Sequence, residues 1–488
     1  MLCVRIFSGS ILLISLLVGI SAYSQENSDV SDPPLEDVWP ALSEPRFGDL
    51  DVMIERGEIR VLTTFTLGSY YIDRGRQRGG VFLASKKLED HAREKLGPDA
   101  RQLKVTIIPV RRDQLLPYLN AGFGDVAFAN LTITPDRLEA VDFSTPYYDE
   151  VREVLVTGPG LGDVQSLDDV MDHEIVVPKA TSYFESISDH NDMLRRRALP
   201  QIKVTESDPR LEIEDILEML NAGLLPMTVA DDHRLRLWSQ VFEGINVHED
   251  IVFRRNGKSA LAMRKDSPLL KELLDGFAYE NRVGTLFTNM IINQYVEHTG
   301  WAKPALEREP FRRLQQLAGL FQTYGERYDF DWLLLASFAY QESGFDQDAR
   351  SPVGAIGVMQ VMPATAADRQ VGIDDIHELE NNVHAGTKYL AFLRGRYFSD
   401  AEMDLTERML FTMAAYNAGP ARINRLRKVA EERGLDPNIW FNNVELIVAA
   451  NVGREPVDYV GNIYRYYIAY KRAMDALEGR EEIVPSVR

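Results

Sequence analysis

The chain has one cysteine in 488 residues, Cys3, and it precedes the first apolar run. A lipid-bearing cysteine would follow such a run, so Cys3 is a poor attachment point. Beyond it neither a disulfide nor a thiol nucleophile can be drawn. Histidine is scarce too: eight residues, scattered, with no HExxH and no Cys/His cluster, so neither a metal site nor a cofactor is expected. Basic residues are in deficit. The formal charge of -20 repels a phosphate backbone and no basic patch offsets it, which argues against nucleic acid as a partner. Long apolar runs are confined to "ILLISLLVGI" near the N-terminus, a stretch of roughly 15 residues with its flanks, short of the ~20 that span a bilayer.

Arg5 before that run and the small residues of "SAYSQ" after it read as a secretory signal over residues 1–24, with an uncleaved anchor as the alternative. Residues 25–49, rich in Pro, Ser and acids, read as a linker. The remaining length exceeds what one hydrophobic core usually serves. From 50 to 300, β-rich runs such as "EIRVLTTF", "KVTIIPV", "GDVAFANL" and "HEIVVPK" alternate with helical patterns such as "VFLASKKLEDHAREKL". The alternation predicts an α/β domain with largely parallel sheets. From 301 to 478 amphipathic helical segments dominate and predict an all-α domain, followed by a polar tail over 479–488.

In the helical half, "DWLLLASFAYQESGF" places Asp331 as an N-cap, an apolar helix after it, and Ser343-Gly344 as the stop. Glu342 therefore falls in the last turn of a buried helix. The negative end of the helix dipole and apolar surroundings both disfavour a carboxylate there, so its pKa should rise, as a general acid requires. An exposed glutamate that merely ends a helix is the bland alternative. The next segment, "SPVGAIGVMQVMPATA", has Gly354 and Gly357 for close backbone approach and Pro363 to open a new helix. Such a turn would set backbone and the Gln360 amide beside Glu342. Its plain reading is an inter-helix loop whose Met359 and Met362 pack the core. Asp346 and Asp348 read as solvated turn acids rather than a second catalytic carboxylate.

The blocks "ESGF", "SPVGAIGVMQVMPATA", "ELENNVHAGTKYL", "AAYNAGP" and "EPVDYV" resemble, in order and spacing, the soluble lytic transglycosylase domain, a lysozyme-like fold that acts on peptidoglycan. The resemblance spans roughly residues 311–470. It implies cleavage of the β-1,4 bond between N-acetylmuramic acid and N-acetylglucosamine, with peptidoglycan glycan strands as partner. Glu342 would be acid and then base, and the muramyl C6 hydroxyl the nucleophile, giving a 1,6-anhydro end. A single carboxylate suffices when the nucleophile belongs to the substrate. The resemblance also implies substrate contacts for Ser343, Gly357, Met359, Gln360, Tyr416, Asn417 and Tyr459. Val358 and Pro456 stand where the family commonly has leucine and threonine.

The segment from "GEIRVLTTF" to "VLVTGPG", with "NLTITPDRLEAVDFSTPYY" as its most specific block, is similar to periplasmic amino-acid-binding proteins, over about residues 50–298. That resemblance implies a two-lobed domain in which Arg137, aided by Asn130 and Thr132, grips a ligand carboxylate. Thr181 and Ser182 would form an anion site at a helix start, and Asp231 would receive an amino group. Phe82 replaces an acid common in that family, so a peptide fragment fits as well as a free amino acid.

The two-part arrangement resembles membrane-associated lytic transglycosylases. It implies a periplasmic location, peripheral to the inner face of the outer membrane, with a muropeptide or amino acid as effector. A hydrolase of the goose-type lysozyme kind and a non-catalytic receptor for amino acids or muropeptides are the alternatives.

Overall fold

The computed structural model describes residues 45–73, 76–162, 164–297 and 310–481. The expected signal segment, nearly all of the linker, the boundary at 300/301 and the tail from 482 onward lie outside those residues. Eleven strands are described: β1 (Glu58–Thr63), β2 (Tyr71–Asp73), β3 (Arg76–Arg78), β4 (Lys104–Pro109), β5 (Val126–Thr132), β6 (Asp142–Phe143), β7 (Tyr148–Thr157), β8 (Glu174–Val177), β9 (Lys203–Glu206), β10 (Met227–Asp231) and β11 (Asn246–Met263). All but the β2–β3 hairpin belong to one sheet, ordered β4-β1-β5-β11-β7-β10-β8-β9 with β6 also on β11.

The runs read from sequence form parallel pairs, β1 with β4 and β5 in one lobe, and β8 with β9 and β10 in the other. The sheet is nonetheless not largely parallel. β11 runs antiparallel to β5, β6 and β7, and β7 antiparallel to β10. The reason is topological: the chain leaves the first lobe at β7 and returns through the 18-residue β11, whose early part pairs with β7 and whose end pairs with β5. Strands that cross between lobes in opposite directions must oppose each other. A cleft between the lobes follows from the same crossing.

After residue 310 the described regular elements are all helices, joined by turns and loops that carry isolated bridges at Arg350, Ile356 and Val361. The helix Trp332–Ser343 is the axis of this half. Every residue from Leu333 to Tyr340 is buried, as expected for a segment apolar on all sides. Asp331 caps it by accepting the Leu333 N–H at 2.9 Å, as its sequence position predicts. The helices Pro310–Tyr328 and Arg454–Glu481 pack against it, and the latter carries through the first residues of the expected polar tail.

The helical half is joined to the second lobe by charge. Arg465, on the helix Arg454–Glu481, meets Asp215 at 2.7 Å and Glu218 at 3.3 Å, both on the helix Ile213–Asn221. Beside them the Tyr464 hydroxyl donates to Asp208 at 2.9 Å and accepts from Arg210 at 3.2 Å. No described helix is long and apolar enough to cross a membrane.

Candidate active site and ligand cleft

The helix Trp332–Ser343 ends where Gly344 turns left-handed at φ 63°, its N–H bonded to the Tyr340 carbonyl at 2.8 Å. Phe345 follows at φ 67°, held in that unfavourable region by burial against Phe321 and Tyr340. Two such residues in succession reverse the chain, and the loop that follows returns to the helix end. Ser343 fastens it there: its hydroxyl donates to the Val358 carbonyl at 3.0 Å and accepts the Asp346 N–H at 3.1 Å.

Glu342, one turn-end short of this reversal, is largely buried. Burial pushes its carboxyl up to about 7, and a hydrogen bond from the Tyr459 hydroxyl to Oε1 partly opposes the rise. Tyr459 comes from the helix Arg454–Glu481 and is itself buried, with Phe338 edge-on at 6.3 Å. Phe338 also supports Tyr416, at 4.7 Å and 81°. Tyr416 donates to the Met359 carbonyl at 2.8 Å, and burial beside Glu342 holds its hydroxyl well above the usual phenol range. Both phenols stay neutral while the carboxyl titrates near neutrality.

The glycine-studded loop is held without a regular ladder. Ile356 and Val361 exchange backbone bonds at 3.0 Å, and Gly357 sits at φ 78° between them. A Cβ at Gly357 would lie 2.5 Å from Asn382 Nδ2 and 2.6 Å from Gln347 Oε1, so glycine is required twice over. Asn382, fully buried on the helix Leu379–Tyr397, accepts the Met359 N–H at 2.8 Å and donates to the carbonyls of Ile356 (2.8 Å) and Ile376 (3.0 Å). Gln347 accepts the Val358 N–H at 3.1 Å and binds the His377 carbonyl at 2.9 Å. Sequence reasoning missed both residues. The only available signal was an uncharged polar residue, Asn382, inside the quoted block "ELENNVHAGTKYL".

Several expected contacts fall elsewhere. Met359 is wholly buried, so it packs behind the loop and does not line a cleft, as the plain reading of the loop had it; Met362 is the exposed methionine. Ser343 spends its hydroxyl on the loop, and the Gln360 amide folds back onto the Gly357 carbonyl at 2.9 Å. Asn417 is exposed in the last turn of Leu405–Ala418, next to Tyr416. Asp346 and Asp348 are exposed, and the Asp346 carboxylate accepts the Asp348 N–H at 2.8 Å within a turn, consistent with solvated turn acids.

In the first half, the residues expected to hold a ligand do converge, but on one another. Arg137, in the short helix Pro135–Ala140, gives Nη1 to the Thr132 carbonyl (3.0 Å) and Nη2 to the Ala180 carbonyl (3.4 Å). Its Nε meets the Glu185 carboxylate at 3.1 Å. Glu185 lies in the first turn of the helix Ser182–Arg196, so this chain supplies its own carboxylate both to the guanidinium and to the helix start. Thr181, the N-cap residue, turns its hydroxyl back to the Pro178 carbonyl at 2.6 Å, and Ser182 is buried behind it. Asp231 accepts from Asn130 (2.9 Å) and Tyr183 (2.8 Å), and burial raises its carboxyl to about 6. Asn130 adopts φ 51° to make this bond across the lobes. Arg112 and Glu212 close the same seam at 2.7 Å.

Comparison with known proteins gives a consistent picture. The Transglycosylase SLT domain matches residues 319–438, and the family-3 bacterial extracellular solute-binding proteins match residues 87–289. The chain is 27% identical to a membrane-bound lytic murein transglycosylase F of Pseudomonas fluorescens Pf-5, over 86% of this chain and 85% of that one. It is 28% identical to one from Desulfosudis oleivorans, over 86% and 91%. A third, membrane-bound lytic murein transglycosylase F 1 of Alkalilimnicola ehrlichii, is 28% identical over 89% and 87%. Glu342, Asn382 and Tyr416 fall inside the matched SLT segment, whereas Tyr459 lies beyond it.

Proposed function

We propose, for a chain that belongs to the membrane-bound lytic murein transglycosylase F family, with a family-3 solute-binding domain ahead of an SLT domain, that Glu342 alone carries the chemistry. The substrate is the glycan strand of peptidoglycan. The Glu342 carboxyl protonates the glycosidic oxygen as the bond from the muramyl anomeric carbon breaks. The resulting carboxylate then takes the proton of the muramyl C6 hydroxyl while its oxygen bonds to the same carbon, leaving a 1,6-anhydro end and a glutamic acid ready to act again. The observation that carries this reading is the pairing of a carboxyl raised to about 7 with a neutral tyrosine donor at the end of a buried helix. Tyr459 orients the carboxyl, while Tyr416 and Asn417 flank the sugar-bearing side with the Gly357–Gln360 turn. Mass spectrometry of soluble products from purified sacculi tests it: anhydro-muropeptides are expected, and reducing ends would assign the chain to hydrolysis instead.

The same carboxyl sets the pH profile. The acid form is lost above about 7, so kcat/KM is expected to fall about tenfold per pH unit on that side. In Tyr459→Phe the carboxylate loses a donor, which raises its pKa, so this falling limb should move up by ~0.5–1 pH unit while the maximal rate drops. An unmoved limb would show that Tyr459 does not act on the titrating group.

The solute-binding domain regulates the transglycosylase domain in this reading, with the boundary between them near residue 300. The route is the helix Arg454–Glu481, which carries Tyr459 to Glu342 and Arg465 to Asp215 and Glu218 of the second lobe. A ligand shifts the enzyme through differential affinity for two arrangements of those lobes. A purified muropeptide is expected to change the rate on sacculi, and Arg465→Met to remove most of that change. An equal response in both proteins would eliminate this route. The site of action is the periplasm, peripheral to the inner face of the outer membrane, where the substrate lies.

A further inference from the structure

Between the two lobes of the solute-binding domain lies a cavity of about 300 Å³, walled largely by apolar side chains including Val81, Phe128, Trp238, Phe277 and Ile291. Its volume is at the small end for ligand sites. Arg137 does not line it, being engaged by Glu185 and two carbonyls. The polar rim is made by Asn130, His233 and Glu214, with the Arg112 and Arg234 cations already paired to Glu212 and Glu214.

The rim offers acceptors. Asn130 spends its amide N–H on Asp231, so its Oδ1 must accept from His233 Nε2, at 3.2 Å. That fixes the imidazole tautomer and leaves His233 Nδ1 a buried acceptor without a hydrogen bond, with Asp232 Oδ1, another acceptor, 3.9 Å away. Burial also holds His233 down at about 3, so it stays neutral. Glu214 Oε2 is likewise buried and unpartnered, its other oxygen being held by Arg234. Unpaired buried acceptors are costly unless a donor meets them.

We propose that this cavity binds a small amphipathic primary amine, its apolar body among the aromatic and aliphatic walls and its nitrogen donating to Glu214 Oε2 and His233 Nδ1. An α-carboxylate is not part of the recognition, because Glu185 already fills the place on Arg137 that a carboxylate would take. The inference rests on the reading of this half as a solute-binding domain and gives its ligand a chemical class. An amino-acid amide, a peptide N-terminus and a simple amine share that class.

Calorimetry on the full mature chain, with no sacculi present, separates this from the fate of the transglycosylase reading. The probes are phenethylamine, L-phenylalaninamide, L-phenylalanine and 3-phenylpropionate. Phenethylamine and the amide are expected to bind, phenylalanine no tighter than its amide, and phenylpropionate not at all. Glu214→Gln should weaken the amines at least tenfold. Phenylalanine binding at least tenfold tighter than its amide in the unaltered protein, binding of phenylpropionate, or no binding by either amine would overturn the proposal.

Discussion

Replacing Glu342 by glutamine is expected to lower the release of anhydro-muropeptides from sacculi by at least about a thousandfold, because one carboxyl performs both proton transfers. The same change should make the protein more stable above neutral pH. The folded carboxyl titrates at about 7 against an ordinary value of 4.5, so between those values the native state holds a proton that the unfolded chain has released. Stability then falls as pH rises through that window, by roughly 3 kcal/mol for this group, and stays at the lower level above it. An amide has no such titration and can still accept the Tyr459 hydroxyl. Urea unfolding at pH 5 and pH 8 measures it: the difference between the two proteins should be small at pH 5 and favour the variant at pH 8. A variant that is inactive but equally stable at both values would mean that the carboxyl is not held out of water. Loss of activity with gain of stability is the mark of a group kept in a costly place for its chemistry.

How much of this could be read beforehand depended on whether the information was local. The cap at Asp331, the apolar helix and the stop at Gly344 are written in consecutive residues, so the address of Glu342 and the direction of its pKa could be derived from sequence. Pairing with Tyr459 crosses 117 residues and came only from motif resemblance. The parallel strands were legible because alternation encodes them, whereas the crossing by β7 and β11 was not, since antiparallel return is set by which lobe the chain must re-enter. The least legible feature was Glu185. Nothing in "TSYFES" distinguishes a first-turn glutamate that faces water from one that reaches Arg137, 48 positions earlier. Motif likeness assigned Arg137 a ligand, and tertiary structure gave it a partner from its own chain.

Asn382→Ala is expected to cost about 2–4 kcal/mol of unfolding free energy, far more than Asn417→Ala, an exposed change that should stay within about 0.5 kcal/mol. The loop from Arg350 to Val361 closes the end of the helix bearing Glu342, yet its backbone pairing is limited to two isolated bridges, Arg350 with Ile356 and Ile356 with Val361, and a few turn bonds. Its remaining buried N–H and C=O groups need partners, and a side-chain amide provides them where a strand is absent. Alanine would leave the Met359 N–H unpaired in the core and take one of two donors from each of the Ile356 and Ile376 carbonyls, which keep the Val361 N–H and the Gln347 amide. Gly357 is interlocked with this clamp, because a Cβ there would strike the same Asn382 amide. Gly357→Ala should therefore be destabilising alone, and its cost should shrink in the Asn382→Ala background, since one of two obstructing groups is gone while Gln347 Oε1 and the strain of φ 78° remain. Denaturant unfolding of the four proteins of this cycle decides it. Strict additivity would show that Asn382 and Gly357 act independently, and the loop would then need another origin for its rigidity. Non-additivity would trace the position of the Tyr416 hydroxyl, bonded to the Met359 carbonyl, to a single buried asparagine.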